Sequence, residues 1–150
     1  MILKRKNGFP LNNYMKKASK FGKEYFKGNK NNPMTCYEYK AGNIFMVYKE
    51  RAYDVLQKYI PVKAKILDVG CAYGYLLKLL DRDNFQTYGI DISEYALKKA
   101  KEMTKAQLVQ GDLNQKLPYK NNSFDAIFAF DIVEHLDSPY KFLLELHRLL

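Results

Sequence analysis

The chain has 150 residues, 25 Lys+Arg against 16 Asp+Glu, and a formal net charge of +9, which fits one modest domain and excludes an array of domains. With 47% hydrophobic and 15% aromatic residues it has apolar surface enough to offset folding entropy, which argues against global disorder and against collagen-like or low-complexity sequence. No apolar run is long enough to cross a bilayer and no signal core follows the Lys-Arg-Lys cluster near Met1, so a soluble, cytoplasmic protein is expected. The cysteines, Cys36 and Cys71, suggest neither a disulfide framework nor a metal site.

Charge divides the chain. Residues 1–65 carry 15 basic and 4 acidic side chains, and residues 66–150 carry 10 and 12. In the first half, Tyr14, Phe21, Tyr25, Phe26, Tyr37, Tyr39, Phe45 and Tyr48 are interleaved with lysines. Helices are predicted over 13–27 and 43–60, separated by the breaker-rich stretch 28–33 and closed by Pro61. Two domains follow: a basic, aromatic helical cap over 1–62 and a core over 63–150.

The core alternates short β-branched runs with helical patterns, the signature of βαβ units and a parallel sheet. Strands are predicted at 65–69, 86–90, 108–110 and 126–130. Helices are predicted to open at Gly74 and to run over 93–105, with Ser93 as N-cap, and from Ser138-Pro139 to Leu150.

The first strand runs into Asp68-Val69-Gly70-Cys71-Ala72-Tyr73-Gly74, a turn with small residues at 70, 72 and 74 where backbone can approach a ligand. Asp91 lies 23 residues beyond Asp68 at the end of the second strand, near the spacing at which a carboxylate meets ribose hydroxyls. The dinucleotide fingerprint fails, because the sixth position counted from Gly70 is Tyr75. Asp68 would also repel a pyrophosphate and attract a cation. S-adenosyl-L-methionine, with a cationic sulfonium and amino group and no phosphate, fits that field.

Five ordered motifs then carry a resemblance: the Asp68–Gly74 segment; Tyr88-Gly89-Ile90-Asp91-Ile92-Ser93; Gly111-Asp112-Leu113 with Leu117-Pro118-Tyr119; Ser123-Phe124-Asp125-Ala126-Ile127; and Asp131-Ile132-Val133-Glu134-His135-Leu136. Residues 66–150 resemble the class I S-adenosylmethionine-dependent methyltransferases, most closely the small-molecule branch that includes the ubiquinone-type and methyltransferase-domain-11 enzymes. The resemblance implies a Rossmann-like three-layer α/β/α fold with strand order 3-2-1-4. It implies that Gly70, Cys71, Ala72 and Gly74 form the cofactor's turn with Asp68 beside the methionine part. Asp91 would hold the ribose hydroxyls and Asp112 the adenine amine, with Ile92 and Leu113 on the ring faces and the backbone at Asp131 facing the amino group. Alanine at 72, where the family usually has glycine, is a mild departure. No metal is implied, and the product would be S-adenosyl-L-homocysteine.

Several residues keep a plainer alternative. Asp68 could orient the turn and Asp131 could cap the next segment. Cys71 is read as a small turn residue rather than a nucleophile, since nothing beside it activates the thiol. His135, with Glu134, stands where a general base for the acceptor could be, or else shapes the cleft. His147 is expected on the surface or in packing.

The segment after the fourth strand lacks the Asp/Asn-Pro-Pro-aromatic signature of base-amine methylators, so the expected acceptor is an oxygen, less readily a nitrogen or carbon, of a small molecule. The basic lead-in is expected to form a lid, with RNA contact or membrane-surface contact as alternatives. Because the family continues into further strands, the core is expected to be incomplete, either a fragment or a degenerate form. A non-catalytic cofactor-binding or RNA-binding module is the competing reading of the whole.

Overall fold

The computed structural model describes residues 20–27 and 54–150. In chain order these form α1 (Lys23–Lys27), α2 (Asp54–Tyr59), β1 (Lys65–Val69), α3 (Tyr75–Leu80), β2 (Gln86–Asp91), α4 (Glu94–Met103), β3 (Gln107–Gln110), β4 (Ala126–Phe128) and α5 (Pro139–Leu149), with 3-10 turns at Asp81–Asp83 and Val133–His135. The four strands make one parallel sheet in the order β3-β2-β1-β4. That is the Rossmann-like order the resemblance implied.

β1 is central because it is apolar on both faces: Ile66, Leu67 and Val69 are wholly buried. Leu67 and Val69 pack with Ile90, Leu117, Phe124 and the α5 residues Phe142 and Leu149. Ile66 faces the other way, against Leu56 of α2 and Leu76 and Leu80 of α3. Leu77 of α3 and Leu97 of α4 pack with Cys71 on that same side. The sheet is thus covered on both faces. Gly89 makes the close packing possible, since a Cβ there would stand 2.7 Å from Leu77, 2.8 Å from Leu108 and 2.9 Å from the Cys71 sulfur.

Register and loops are locked by polar contacts. The Lys65 N–H donates to Asp125 Oδ2 at 2.7 Å and the Asp125 N–H returns to the Lys65 carbonyl at 2.9 Å, fixing where β4 joins β1. Glu145 of α5 accepts from the Leu117 N–H at 2.6 Å and pairs with Arg148, whose guanidinium also donates to the carbonyls of Leu117 and Tyr119 and to Asn121. This cluster holds the long loop after β3 onto α5.

β2 runs one residue further than predicted, to Asp91, β3 begins one residue earlier, at Gln107, and α5 ends one residue short, at Leu149; three larger differences each have a local reason. The predicted helix over 13–27 is interrupted by a turn at Phe21 and Gly22 before α1, where glycine weakens the helix; its residues 13–19 lie outside the described residues. α4 ends at Met103 and not at 105, because Thr104 turns extended and donates its hydroxyl to Asp81 at 2.6 Å. β4 stops at Phe128 and not at 130: its last partner is Asp68, beyond which β1 bends away at Gly70 with φ +76°. The predicted helix over 43–60 is described only as α2, and most of the proposed cap over 1–62 falls outside the described residues.

Candidate functional site

In a parallel sheet the carboxyl ends of the strands and the loops that leave them share one rim, where ligands of such folds are received. The loops here are tied to one another. Gly70, Ala72 and Gly74 all adopt positive φ, +76°, +46° and +75°, so the chain winds tightly from β1 into α3. Ala72 tolerates its left-handed conformation with its methyl buried against Phe26 and Ala96. The Gly70 and Cys71 N–H groups both donate to the Ile90 carbonyl, at 2.7 and 3.2 Å, pinning the turn to the end of β2.

Asp91 ends β2 and is buried. Its Oδ2 accepts from the Ala72 N–H at 2.9 Å and its Oδ1 from the Ser93 N–H at 2.7 Å. Ser93 in turn caps α4 by accepting from the Ala96 N–H at 3.1 Å, as its position before the helical run predicted. Burial raises the pKa of Asp91, opposed by the backbone N–H groups of Ser93, Ala72 and Ile92. An ionised carboxylate has about four acceptor positions, so acceptor capacity remains for a hydroxyl group.

Asp68, on β1 beside the turn, is equally buried, and no hydrogen bond joins its carboxylate to any other described residue. Desolvation and the neighbouring Asp91 push its pKa from 3.8 to about 8. Cys71 is buried and its thiol is driven up by burial and by both aspartates. An unactivated thiol packed under Gly89 is the small turn residue that the sequence suggested.

The loop after β3 contributes Asp112. Its Oδ1 accepts from the backbone N–H of Asn114 at 2.9 Å and from the Asn114 side-chain amide at 3.1 Å, which leaves Oδ2 as an acceptor. Ile92 and Leu113 are half-buried. Gln110 donates to the Ile92 carbonyl at 3.0 Å, and the Gly111 N–H to the Asp91 carbonyl at 3.0 Å, so the second and third loops are joined into one wall.

After β4, Asp131 is exposed with φ +53° and does not cap the following turn, whose N-cap is Ile132 with no side-chain bond. Ile132 lies directly over Gly70: a Cβ built on Gly70 would fall 2.0 Å from Ile132 Cδ1. Glu134 and His135 are exposed in the 3-10 turn, and the His135 ring meets Phe21 edge-on at 5.7 Å. Phe26 of α1 is buried against the turn, stacked on Tyr73 at 4.9 Å and 6.3 Å from Tyr95. His147 is exposed on α5, as expected.

The sequence reading missed Ile132, Asn114 and the partners of Phe26. Only the aromatic stripe hinted at the last of these.

A buried carboxylate pair beside a backbone turn suits a ligand with hydroxyl groups, and a positive charge on that ligand would favour the ionised form of both carboxylates. The donor and acceptor set therefore fits S-adenosylmethionine. Among the described residues no three His, Cys, Asp or Glu side chains come together as a metal site, and no helix is long and apolar enough to cross a membrane.

Comparison with known proteins agrees. Residues 67–150 match the family described as Methyltransferase domain. The chain is 32% identical over 102 residues to cycloartenol-C-24-methyltransferase of Arabidopsis thaliana, covering 63% of this chain and 30% of that protein. It is 33% identical over 77 residues to the 18S rRNA (guanine-N(7))-methyltransferase of Bos taurus, covering 51% of this chain and 27% of that protein. A SAM-dependent methyltransferase from Aquifex aeolicus superposes with a TM-score of 0.56 at 29% identity, over 65% of this chain and 56% of that one. The chain thus spans less than a third of the length of either curated relative. With its 3-2-1-4 parallel sheet and the match over residues 67–150, the chain belongs to the Methyltransferase domain family of class I S-adenosylmethionine-dependent methyltransferases.

Proposed function

We propose that this chain binds S-adenosylmethionine and transfers its methyl group to a nucleophile of a small-molecule acceptor. The observation that carries the reading is the carboxylate pair: Asp91, bonded to both the glycine turn and the start of α4, beside the buried Asp68. Asp91 would hold the ribose hydroxyls and Asp112 Oδ2 the adenine amine, with Ile92 and Leu113 against the ring. The turn from Gly70 through Cys71 and Ala72 to Gly74, with Asp68 and the backbone at Asp131, would receive the methionine part.

When bound, the cofactor supplies a methyl group on a sulfonium, open to in-line displacement. The protein's work is then alignment and exclusion of water. Segment 20–27, packed on Tyr73, Tyr95 and His135, is read as part of a lid over the site. His135 would take the acceptor's proton at a ring nitrogen, with Glu134 beside it. The sequence favours an oxygen acceptor, whereas the relatives' names specify a carbon at C-24 and a guanine N7. The proposal is therefore methyl transfer to a small molecule, with oxygen one of three acceptor atoms to assay.

Calorimetric titration with S-adenosylhomocysteine, beside NAD and the Asp91→Ala variant, tests the cofactor. Saturable binding of the first alone, lost in the variant, is expected. No binding by folded wild-type chain, or equal binding of NAD, defeats the reading. RNA is the alternative acceptor, favoured by the basic lead-in and the rRNA-modifying relative. It predicts RNA affinity that falls steeply between about 50 and 200 mM salt.

A further inference from the structure

The loops after β3 and β4 leave separate strands at opposite edges of the sheet, yet one side chain bridges them. Asn114 gives its backbone N–H and its side-chain amide to Asp112 Oδ1, at 2.9 and 3.1 Å. Its own Oδ1 accepts from the Asp137 N–H at 2.7 Å, 23 residues further along. Both ends of the amide are used, the donor end on one wall of the site and the acceptor end on the other. An aspartate side chain at 114 could not donate to Asp112, and an alanine side chain could serve neither contact, while the backbone N–H bond to Asp112 Oδ1 stays in both.

We propose that Asn114 is a positioning residue for the cofactor site: it fixes one oxygen of Asp112 so that the other is presented to an exocyclic amine, and it clamps the segment carrying Glu134 and His135 to that same wall. The inference rests on the cofactor reading above and adds to it a source of base selectivity. Two donors on Oδ1 hold the carboxylate plane. Oδ2 then accepts from an adenine amine and opposes the carbonyl that replaces that amine in hypoxanthine. Rotation of Asp112 would blunt this difference, because either oxygen could then turn away from a mismatched base. The clamp on Asp137 joins base recognition to the turn where His135 stands.

The test uses S-adenosylhomocysteine and S-inosylhomocysteine, which differ at that amine, titrated into the full chain and into Asn114→Ala and Asn114→Asp. Wild type is expected to prefer the adenosyl ligand by about tenfold or more, the value of one hydrogen bond to a charged group. In Asn114→Ala the adenosyl affinity falls about tenfold while the inosyl affinity holds, so the preference collapses. Asn114→Asp loses the preference as well but keeps an acceptor for the Asp137 N–H. Hydrogen exchange at that amide therefore stays slow in the Asp variant and becomes fast in the Ala variant. An unchanged preference in Asn114→Ala overturns the proposal. So does an equal loss of both ligands, which would mean that Asn114 only supports the fold. Failure of wild type to bind either ligand defeats the cofactor reading itself, and the inference with it.

Discussion

Ala72 and Asp91, 19 residues apart, are joined by a buried hydrogen bond of 2.9 Å from the Ala72 N–H to Asp91 Oδ2. The bond makes one carboxylate serve two purposes: it closes the glycine turn against the end of β2, and it stays in the site with acceptor positions unused. Removing it should therefore cost both stability and ligand.

For Asp91→Ala, the Ala72 and Ser93 N–H groups lose their acceptor in a buried place, at about 1–3 kcal/mol. Affinity for S-adenosylhomocysteine should drop at least about a hundredfold, the loss of two hydrogen bonds to a charged acceptor. Asp91→Asn should fall between, because its amide nitrogen must face one of the two N–H donors. Urea unfolding and calorimetry on the three proteins measure both effects. Binding by Asp91→Ala within about threefold of wild type would remove Asp91 from the site.

Gly70 and Ile132 form a second coupled pair. A methyl at 70 would collide with Ile132 Cδ1 and would force an L residue to φ +76°. Gly70→Ala should lose about 3 kcal/mol or more, combining overpacking with the left-handed backbone penalty. Ile132→Ala relieves the collision and not the φ strain, so the double variant should regain about half of the loss. Strict additivity in the unfolding free energies would show that Ile132 does not rest on the turn.

These pairs mark the limit of what the sequence made legible. β1, β2, the Ser93 cap and the order of motifs were readable because each is a local pattern, an apolar run or a polar residue just before a helix. The two carboxylates were readable from spacing, since a strand–helix–strand unit fixes how far apart they fall. Ile132 on Gly70, Asn114 on Asp137 and Asp125 on Lys65 were not, because each joins residues whose separation encodes nothing until the strands are ordered. The end of β4 was misjudged for the same reason: Ala129 and Phe130 continue an apolar run, but β1 has already turned away. The stripe at Phe21, Tyr25 and Phe26 announced a buried face without naming Tyr73 and His135 as its partners.

Arg148 and Glu145 are 19% and 15% exposed, so their 2.6 Å pairing is screened far less than a surface ion pair. Arg148→Ala leaves Glu145 without its charge partner and frees the carbonyls of Leu117 and Tyr119, for a loss of about 2–4 kcal/mol. Arg148→Lys should recover little, because a single ammonium cannot serve Glu145 and two carbonyls together. The Arg148 hydrogen bond holds the Glu145 carboxyl below its ordinary 4.5. Its contribution is therefore complete above pH 4.5 and is lost as the pH falls through the lowered value. Acid unfolding midpoints should move up in Arg148→Ala, and coincident acid curves for the two proteins would count against the network.

Asp68 runs in the opposite direction. Its pKa is raised from 3.8 to about 8, so the folded chain keeps a proton there that the unfolded chain has released. The stabilisation from that difference is full below 3.8 and is lost as the pH rises toward 8. Wild type should accordingly lose on the order of 1–3 kcal/mol more than Asp68→Asn between pH 5 and pH 9, since the amide stays neutral throughout. A cationic ligand reverses the preference, because it favours the ionised carboxylate. Binding of S-adenosylmethionine should then release close to one proton at pH 7 and tighten as the pH rises, with neither effect in Asp68→Asn. Calorimetry in two buffers of different ionisation enthalpy counts that proton directly. Equal pH slopes for the two unfolding curves would mean that Asp68 is ionised in the free protein, and that its charge is balanced by something other than the ligand.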